Sequence, residues 1–384
     1  MHRNLIFFLV FILIILSYFY LKDDKVYIET IETIEKSEVY YYIFASITEI
    51  HKKDNLEFDI TKIDNLREKN KFDKKLKQKV IKLLKMPNPV VLNPKVDIVE
   101  DIDKGKYIQR KIRLYTAPFT FSYAYLLIPK EETAERKVVI VMHQHGGNYE
   151  YGKEEAAGNI GNENMFFGRE LVERGYVVFA MDAPLFGENN QFFQNSGIRN
   201  SPAVEEEFAT QSLLLYDYTP LGIIVEQDLT ALNFLLNLEG VDKDNIGCIG
   251  HSFGGVRCMY LSALDERIKV TVLSNSVEKF REPIEFGGTQ TWLSIVPDIA
   301  KYTGGNGMLA LISPRPLMVL YSENDPIFPA EYLKLLIPPI KNIYKMLEQE
   351  KNLAIIEIPN KIHEFPKEYR EQAYEFLDKH LKNN

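Results

Sequence analysis

Asn245-Ile246-Gly247-Cys248-Ile249-Gly250-His251-Ser252-Phe253-Gly254-Gly255 constrains the fold of this chain more than any other stretch. A short apolar run stops at a serine flanked by glycines, and a helix-like pattern begins at once. A strand that becomes a helix over so few residues must turn sharply, and the turn lifts the serine hydroxyl clear of the backbone. Glycines two positions before and after Ser252, Gly250 and Gly254, remove side chains that would collide across that turn. Alone, the pattern fits an ordinary glycine-rich turn as well. Its weight comes from what stands beyond the ends of the other strands.

Those strands are legible from hydrophobic rhythm. Tyr107 to Tyr115 and Phe119 to Ile128 alternate as antiparallel strands do. Val138 to Met142 and Val177 to Met181 are continuous apolar runs, as expected of strands buried on both faces. Helix-like Met165 to Arg174 and Val225 to Leu238 separate these from Ile246 to Ile249. Lys269 to Leu273, Leu317 to Tyr321 and Ala354 to Ile358 follow, with helical segments between them and a closing helix over Lys367 to Leu381. Strands alternating with helices predict an α/β fold with a mostly parallel central sheet covered on both faces. Ligands of such a sheet bind beyond the carboxyl ends of its strands.

Nucleophilic catalysis at Ser252 would need a base, an acid to orient the base and donors for a developing oxyanion. After Leu317 to Tyr321 comes Ser322-Glu323-Asn324-Asp325-Pro326, which offers Asp325 first and Glu323 second as the acid. The proline holds Asp325 in extended geometry. After the last strand, Pro359-Asn360-Lys361-Ile362-His363 supplies His363 as the base. The order Ser, Asp, His, each at the end of its own strand, is a recurrent hydrolytic arrangement. The oxyanion donors expected are the backbone N–H of Phe253 and one from His143-Gln144-His145-Gly146-Gly147. His143 and His145 could instead bind zinc, but no nearby carboxylate or cysteine completes a ligand set. Phosphate-loop and dinucleotide patterns are absent, so no cofactor is expected.

With these residues in place, the chain from about Pro89 onward resembles the dienelactone hydrolase-like branch of the α/β-hydrolases, near its acetyl xylan esterase-like and prolyl-oligopeptidase-like relatives. The resemblance rests on His143 to Gly147, Glu173 to Val178, Gly247 to Gly255, Ala263 to Ile268 and Ser313 to Leu317. It implies a catalytic triad of Ser252, Asp325 and His363, with Phe253 and His145 as oxyanion donors and Gln144 as the alternative to His145. It implies a serine esterase, acting on a small-molecule or saccharide ester through an acyl-enzyme. The rival expectations are a prolyl-oligopeptidase-like serine peptidase and a non-catalytic, membrane-tethered binding protein on the same fold.

The sequence divides into 1–22, 23–88 and 89–384. Leu5 to Leu21 is uncharged and apolar, and at about 1.5 Å per residue it spans roughly 25 Å, enough for one membrane crossing. It reads as an uncleaved anchor with the catalytic domain outside the cytoplasm; a cleaved signal is the competing reading. Residues 23–88 are charged and helix-like, with Asp73 to Lys85 amphipathic, and Met86-Pro87-Asn88-Pro89 breaks the pattern. A net charge of -8 argues against nucleic acid as a partner. The two cysteines, Cys248 and Cys258, read as buried free thiols. The segment Ala183 to Glu226, with Phe186, Phe192, Phe193 and Tyr216, reads as a loop that forms either a lid over the pocket or an aromatic satellite core.

Overall fold

A computed structural model describes residues 56–117, 120–131, 135–190, 202–277, 280 and 291–382. The expected anchor at Leu5 to Leu21, residues 23–55 of the charged segment, and Phe192 and Phe193 lie outside the described residues. In chain order the elements begin with α1 (Leu66–Leu84), β1 (Val96–Asp103), β2 (Tyr107–Ala117), β3 (Thr120–Pro129) and β4 (Arg136–Met142). Next come α2 (Lys153–Ala156), α3 (Phe167–Val172), β5 (Val177–Met181), α4 (Pro202–Leu215), α5 (Pro220–Leu236), β6 (Val241–His251) and α6 (Phe253–Leu264). The remainder is β7 (Ile268–Ser274), α7 (Ile299–Tyr302), α8 (Gly305–Ile312), β8 (Leu317–Ser322), α9 (Ala330–Met346), β9 (Leu353–Ile358) and α10 (Lys367–Leu381).

The strands form one sheet in the order β1-β2-β3-β5-β4-β6-β7-β8-β9. Pairings from β5 through β9 are parallel, while β1, β2 and β3 add an antiparallel flank joined to β5. Every residue of β5 and β8 is buried, which matches their unbroken apolar sequences. The edge strand β1 instead carries Asp97, Glu100, Asp101 and Asp103, charges that discourage pairing with another chain. One core face holds side chains of α1, α5, α6, α8 and α9; the other holds those of α3 and α10.

Residues 56–88 pack into this same body. Phe72, Leu76, Val80 and Leu84 line the inner face of α1 and are buried in the core. Thr219 secures the end of that helix: its hydroxyl donates to Leu84 O at 2.5 Å and accepts from Gly222 N–H at 2.9 Å, capping α5. Among the described residues, no helix is long and apolar enough to cross a membrane.

Two expectations are corrected. Cys248 and Cys258 are not free thiols but a disulfide, with Cα atoms 5.9 Å apart. The elbow folds α6 directly back against β6, so residues ten apart in sequence become neighbours. Ala183 to Glu226 is not one loop either, since it contains α4 and the start of α5. Phe186 in it is fully buried and stacks on Tyr149, with ring centroids 5.0 Å apart. Tyr216 is 78% exposed.

Candidate active site

Ser252 lies where β6 ends and α6 begins, at φ 56 and ψ -128, a backbone conformation that a non-glycine residue holds only under strain. The neighbours enforce it. A Cβ on Gly250 would stand 2.3 Å from the carbonyl of Gly254, and one on Gly254 would stand 2.0 Å from Met142 O of β4. The turn is thereby pressed against the adjacent strand, and Ser252 N–H donates to Ser274 O of β7 at 2.8 Å. Phe253, Gly254 and Gly255 open α6, where backbone N–H groups have no partner within the helix.

Asp325 and His363 meet beyond the ends of β8 and β9. His363 Nδ1–H donates to Asp325 Oδ2 at 2.7 Å, and the Asp325 side chain is fully buried. Asp325 Oδ1 accepts from Ile327 N–H at 2.8 Å and Phe328 N–H at 2.9 Å, so the carboxylate cannot swing. Glu323, the alternative acid, accepts from Asn360 N–H at 2.8 Å and does not reach the imidazole. The His363 ring lies between Phe328, 5.7 Å away and nearly parallel, and His251, 4.7 Å away. Asn275 fixes the loop behind it by donating to Glu364 O at 2.9 Å and accepting from Ser322 N–H at 2.7 Å. His363 Nε2 is buried and has no hydrogen-bond partner among the described residues.

Ser252, Phe253 and His363 line one cavity of about 420 Å³, together with His145, Gly146 and Gly147 from the loop after β4. Gln144 is absent from that lining; its side chain turns away and donates to Glu155 Oε2 at 2.9 Å. His143 is buried and structural, its Nδ1–H on Gln144 O at 2.8 Å and its Nε2 accepting from Ala183 N–H at 3.0 Å. Burial, with Arg257 nearby, pushes its pKa down to about 3. His145 also has both nitrogens engaged: Nε2–H donates to Glu206 Oε2 at 2.7 Å, and Nδ1 accepts from Gly147 N–H at 3.1 Å. Neither ring has a nitrogen left over for an ion.

Glu206 is the residue that the sequence did not single out. It sits on the first turns of α4, is 2% exposed, and lines the cavity. Besides His145, it accepts from Tyr149 Oη at 2.6 Å and Thr291 Oγ1 at 2.5 Å. Burial pushes its pKa up, but these three hydrogen bonds outweigh it and leave the carboxyl below its ordinary value. Val204, Val256, Ile327 and Phe328 give the cavity an apolar wall, and Trp292 stands at it 43% exposed. Among the described residues of Ala183 to Glu226, those that line the cavity belong to the amino half of α4, and Phe186 and Tyr216 are not among them.

This arrangement agrees with what the chain is similar to. A family model described as "Abhydrolase family" matches residues 37–325, beginning well before Pro89 and taking in α1. "Putative hydrolase YtaP" of Bacillus subtilis is 32% identical over 214 residues, covering 54% of this chain and 67% of the relative. A "putative acetyl xylan esterase" of Bacteroides fragilis superposes with a TM-score of 0.68 at 19% identity, over 83% of this chain and 82% of its own. A glucuronoyl esterase of Teredinibacter turnerae gives 0.57 at 16% identity, over 80% and 85%. Both structural likenesses are likenesses of fold. The family match runs through the strained elbow and up to the carboxylate beyond β8, and by it this chain belongs to the Abhydrolase family of α/β-hydrolases.

Proposed function

We propose that this protein is a serine hydrolase of carboxylic esters, with Ser252 as nucleophile, His363 as general base and Asp325 as the acid that orients it. The observation that carries the reading is the His363–Asp325 hydrogen bond of 2.7 Å, which leaves His363 Nε2 as the unengaged ring nitrogen in the cavity that Ser252 lines. Nε2 takes the proton from Ser252 Oγ as the oxygen attacks the acyl carbonyl, and Asp325 stabilises the imidazolium that forms. Nε2 makes no hydrogen bond to Oγ in the free protein, and that bond forms when substrate is engaged. The tetrahedral oxyanion is held by Phe253 N–H at the head of α6 and by an N–H of the loop after β4. His145 is favoured over Gln144 there because it lines the cavity. Collapse breaks the bond to the alcohol, which leaves with the proton from His363, and water then releases the acyl group through the same base.

Esterases among the structural relatives support esters as substrates, saccharide esters included. A fluorophosphonate probe tests the proposal: labelling is expected in the intact chain and absent in Ser252→Ala, with turnover of 4-nitrophenyl acetate falling at least 10⁴-fold. Equal labelling of the variant would remove Ser252 from the mechanism. No labelling of either would favour a binding protein on this fold. For Leu5 to Leu21 we keep the proposal of a single membrane anchor with the catalytic domain outside the cytoplasm. Carbonate extraction and protease protection of intact cells test both halves of it.

A further inference from the structure

We propose that the cavity selects uncharged or cationic esters and rejects esters carrying a free carboxylate, with Glu206 and Glu207 setting the preference. The inference rests on the ester-hydrolase reading and adds the charge class of substrate to it. Among the described residues lining the cavity, the carboxylates are Glu206 and Glu207, and no lysine or arginine stands with them.

Glu206 retains its charge and displays it. Its two oxygens accept hydrogen bonds from His145, Tyr149 and Thr291, all of which favour the carboxylate over the acid. The tyrosine and threonine hydroxyls bring no charge of their own to offset it. At His145, Nδ1 accepts the Gly147 N–H, so the ring meets Glu206 through its Nε2–H as a hydrogen-bond donor. At 2% exposure, little water or salt reaches Glu206 to screen it. Glu207, half-buried on the same turn, accepts from Gln211 Nε2 at 2.9 Å and adds a second negative charge at the cavity wall. A carboxylate-bearing substrate must enter this field losing its own hydration. A charge seated inside this cavity of about 420 Å³ lies within about 10 Å of both glutamates. Unit charges at such separations and intermediate dielectric correspond to about ten- to a hundredfold in kcat/KM.

Three aryl acetates with different para groups test this on the full chain: 4-acetoxybenzoate, methyl 4-acetoxybenzoate and 4-(trimethylammonio)phenyl acetate. Each kcat/KM is divided by the rate of hydroxide hydrolysis, so that leaving-group differences drop out. The anionic ester is expected at least tenfold below the methyl ester, with the cationic ester equal to or above it. In Glu206→Gln, and separately in Glu207→Lys should the first variant fail to fold, the anionic-to-neutral ratio should rise at least threefold. Equal normalised rates for all three esters in the intact chain, or an unchanged ratio in every folded variant, would overturn the charge preference and leave the hydrolase reading intact. Methyl 4-acetoxybenzoate cleaved no faster than by Ser252→Ala would overturn the hydrolase reading itself.

Discussion

At the scale of single residues, the proposed site rests on one strained serine and one buried carboxylate. Ser252 keeps φ 56 because Gly250, Gly254 and the backbone of β4 leave no room for another turn. Asp325 keeps its carboxylate aimed because two backbone amides hold its other oxygen. Asp325→Asn should therefore cost roughly 10⁴ in kcat, since an amide presents the wrong partner to Nδ1–H. Glu323→Gln, which touches Asn360 N–H rather than the ring, should stay within a few-fold. A pH–rate profile of both variants separates these outcomes, and the reverse ranking would transfer the acid's role to Glu323. The residues proposed for the triad, Ser252, Asp325 and His363, could be picked out in the sequence because each follows a recognisable apolar strand. Glu206 was not. It sits in Glu205-Glu206-Glu207, and only the seating of α4 decides which of the three meets His145.

Among the elements, α1 and α4 separate what periodicity reveals from what it conceals. The apolar residues of α1 recur on one face, so its helix was readable from the sequence as an amphipathic one. Leu76 is fully buried there, and Gly307 of α8 is packed so closely that a Cβ on it would stand 3.2 Å from Leu76 Cδ2. Leu76→Ala should lower stability by about 2–5 kcal/mol in urea unfolding, and a cost below 1 kcal/mol would mean that the helix is peripheral. The apolar residues of α4 do not gather on one face, so it passed for a loop. Pro202 followed by Glu205 is the start signal that could have found it. Helix α9 hides in another way, with Pro338 and Pro339 inside it. The carbonyls deprived of donors are those of Lys334 and Leu335, which lie on the exposed side, where water can serve them. Between β6 and α6, the Cys248–Cys258 bond closes a short loop. Cys258→Ser should cost roughly 2–4 kcal/mol, and non-reducing peptide mapping should recover the cross-linked pair. Two alkylatable thiols in the native protein would restore the reading of free cysteines.

For the whole molecule, two histidines buried neutral tie stability to pH. Burial, with Arg257 close by, depresses His143 to about 3. Burial, with His363 beside it, drives His251 well below 6.5. The unfolded chain binds protons on both rings below about pH 6.5, whereas the folded chain refuses them, so stability falls as pH falls. The loss begins near pH 6.5 and continues toward pH 3 for His143, at up to about 1.4 kcal/mol per pH unit for each ring. The urea midpoint should therefore drop steadily from pH 7 to pH 5, and the His143 ring resonances should not titrate in that range. A flat midpoint with a titrating ring would mean that these sites are open to solvent.

The sequence by itself determined the strand-to-helix turn at Ser252, the alternation that makes a largely parallel sheet, and the order in which Asp325 and His363, the proposed acid and base, follow Ser252. These are local matters of sterics and hydrophobic period, written into neighbouring residues. Tertiary structure alone decided that Cys248 meets Cys258, that Phe186 fills the core beneath the cavity, and that Glu206 joins α4 to His145 and Thr291. Each of those depends on which surfaces press together once burial of apolar area has fixed the layers, and residues distant in the chain carry no mark of that encounter.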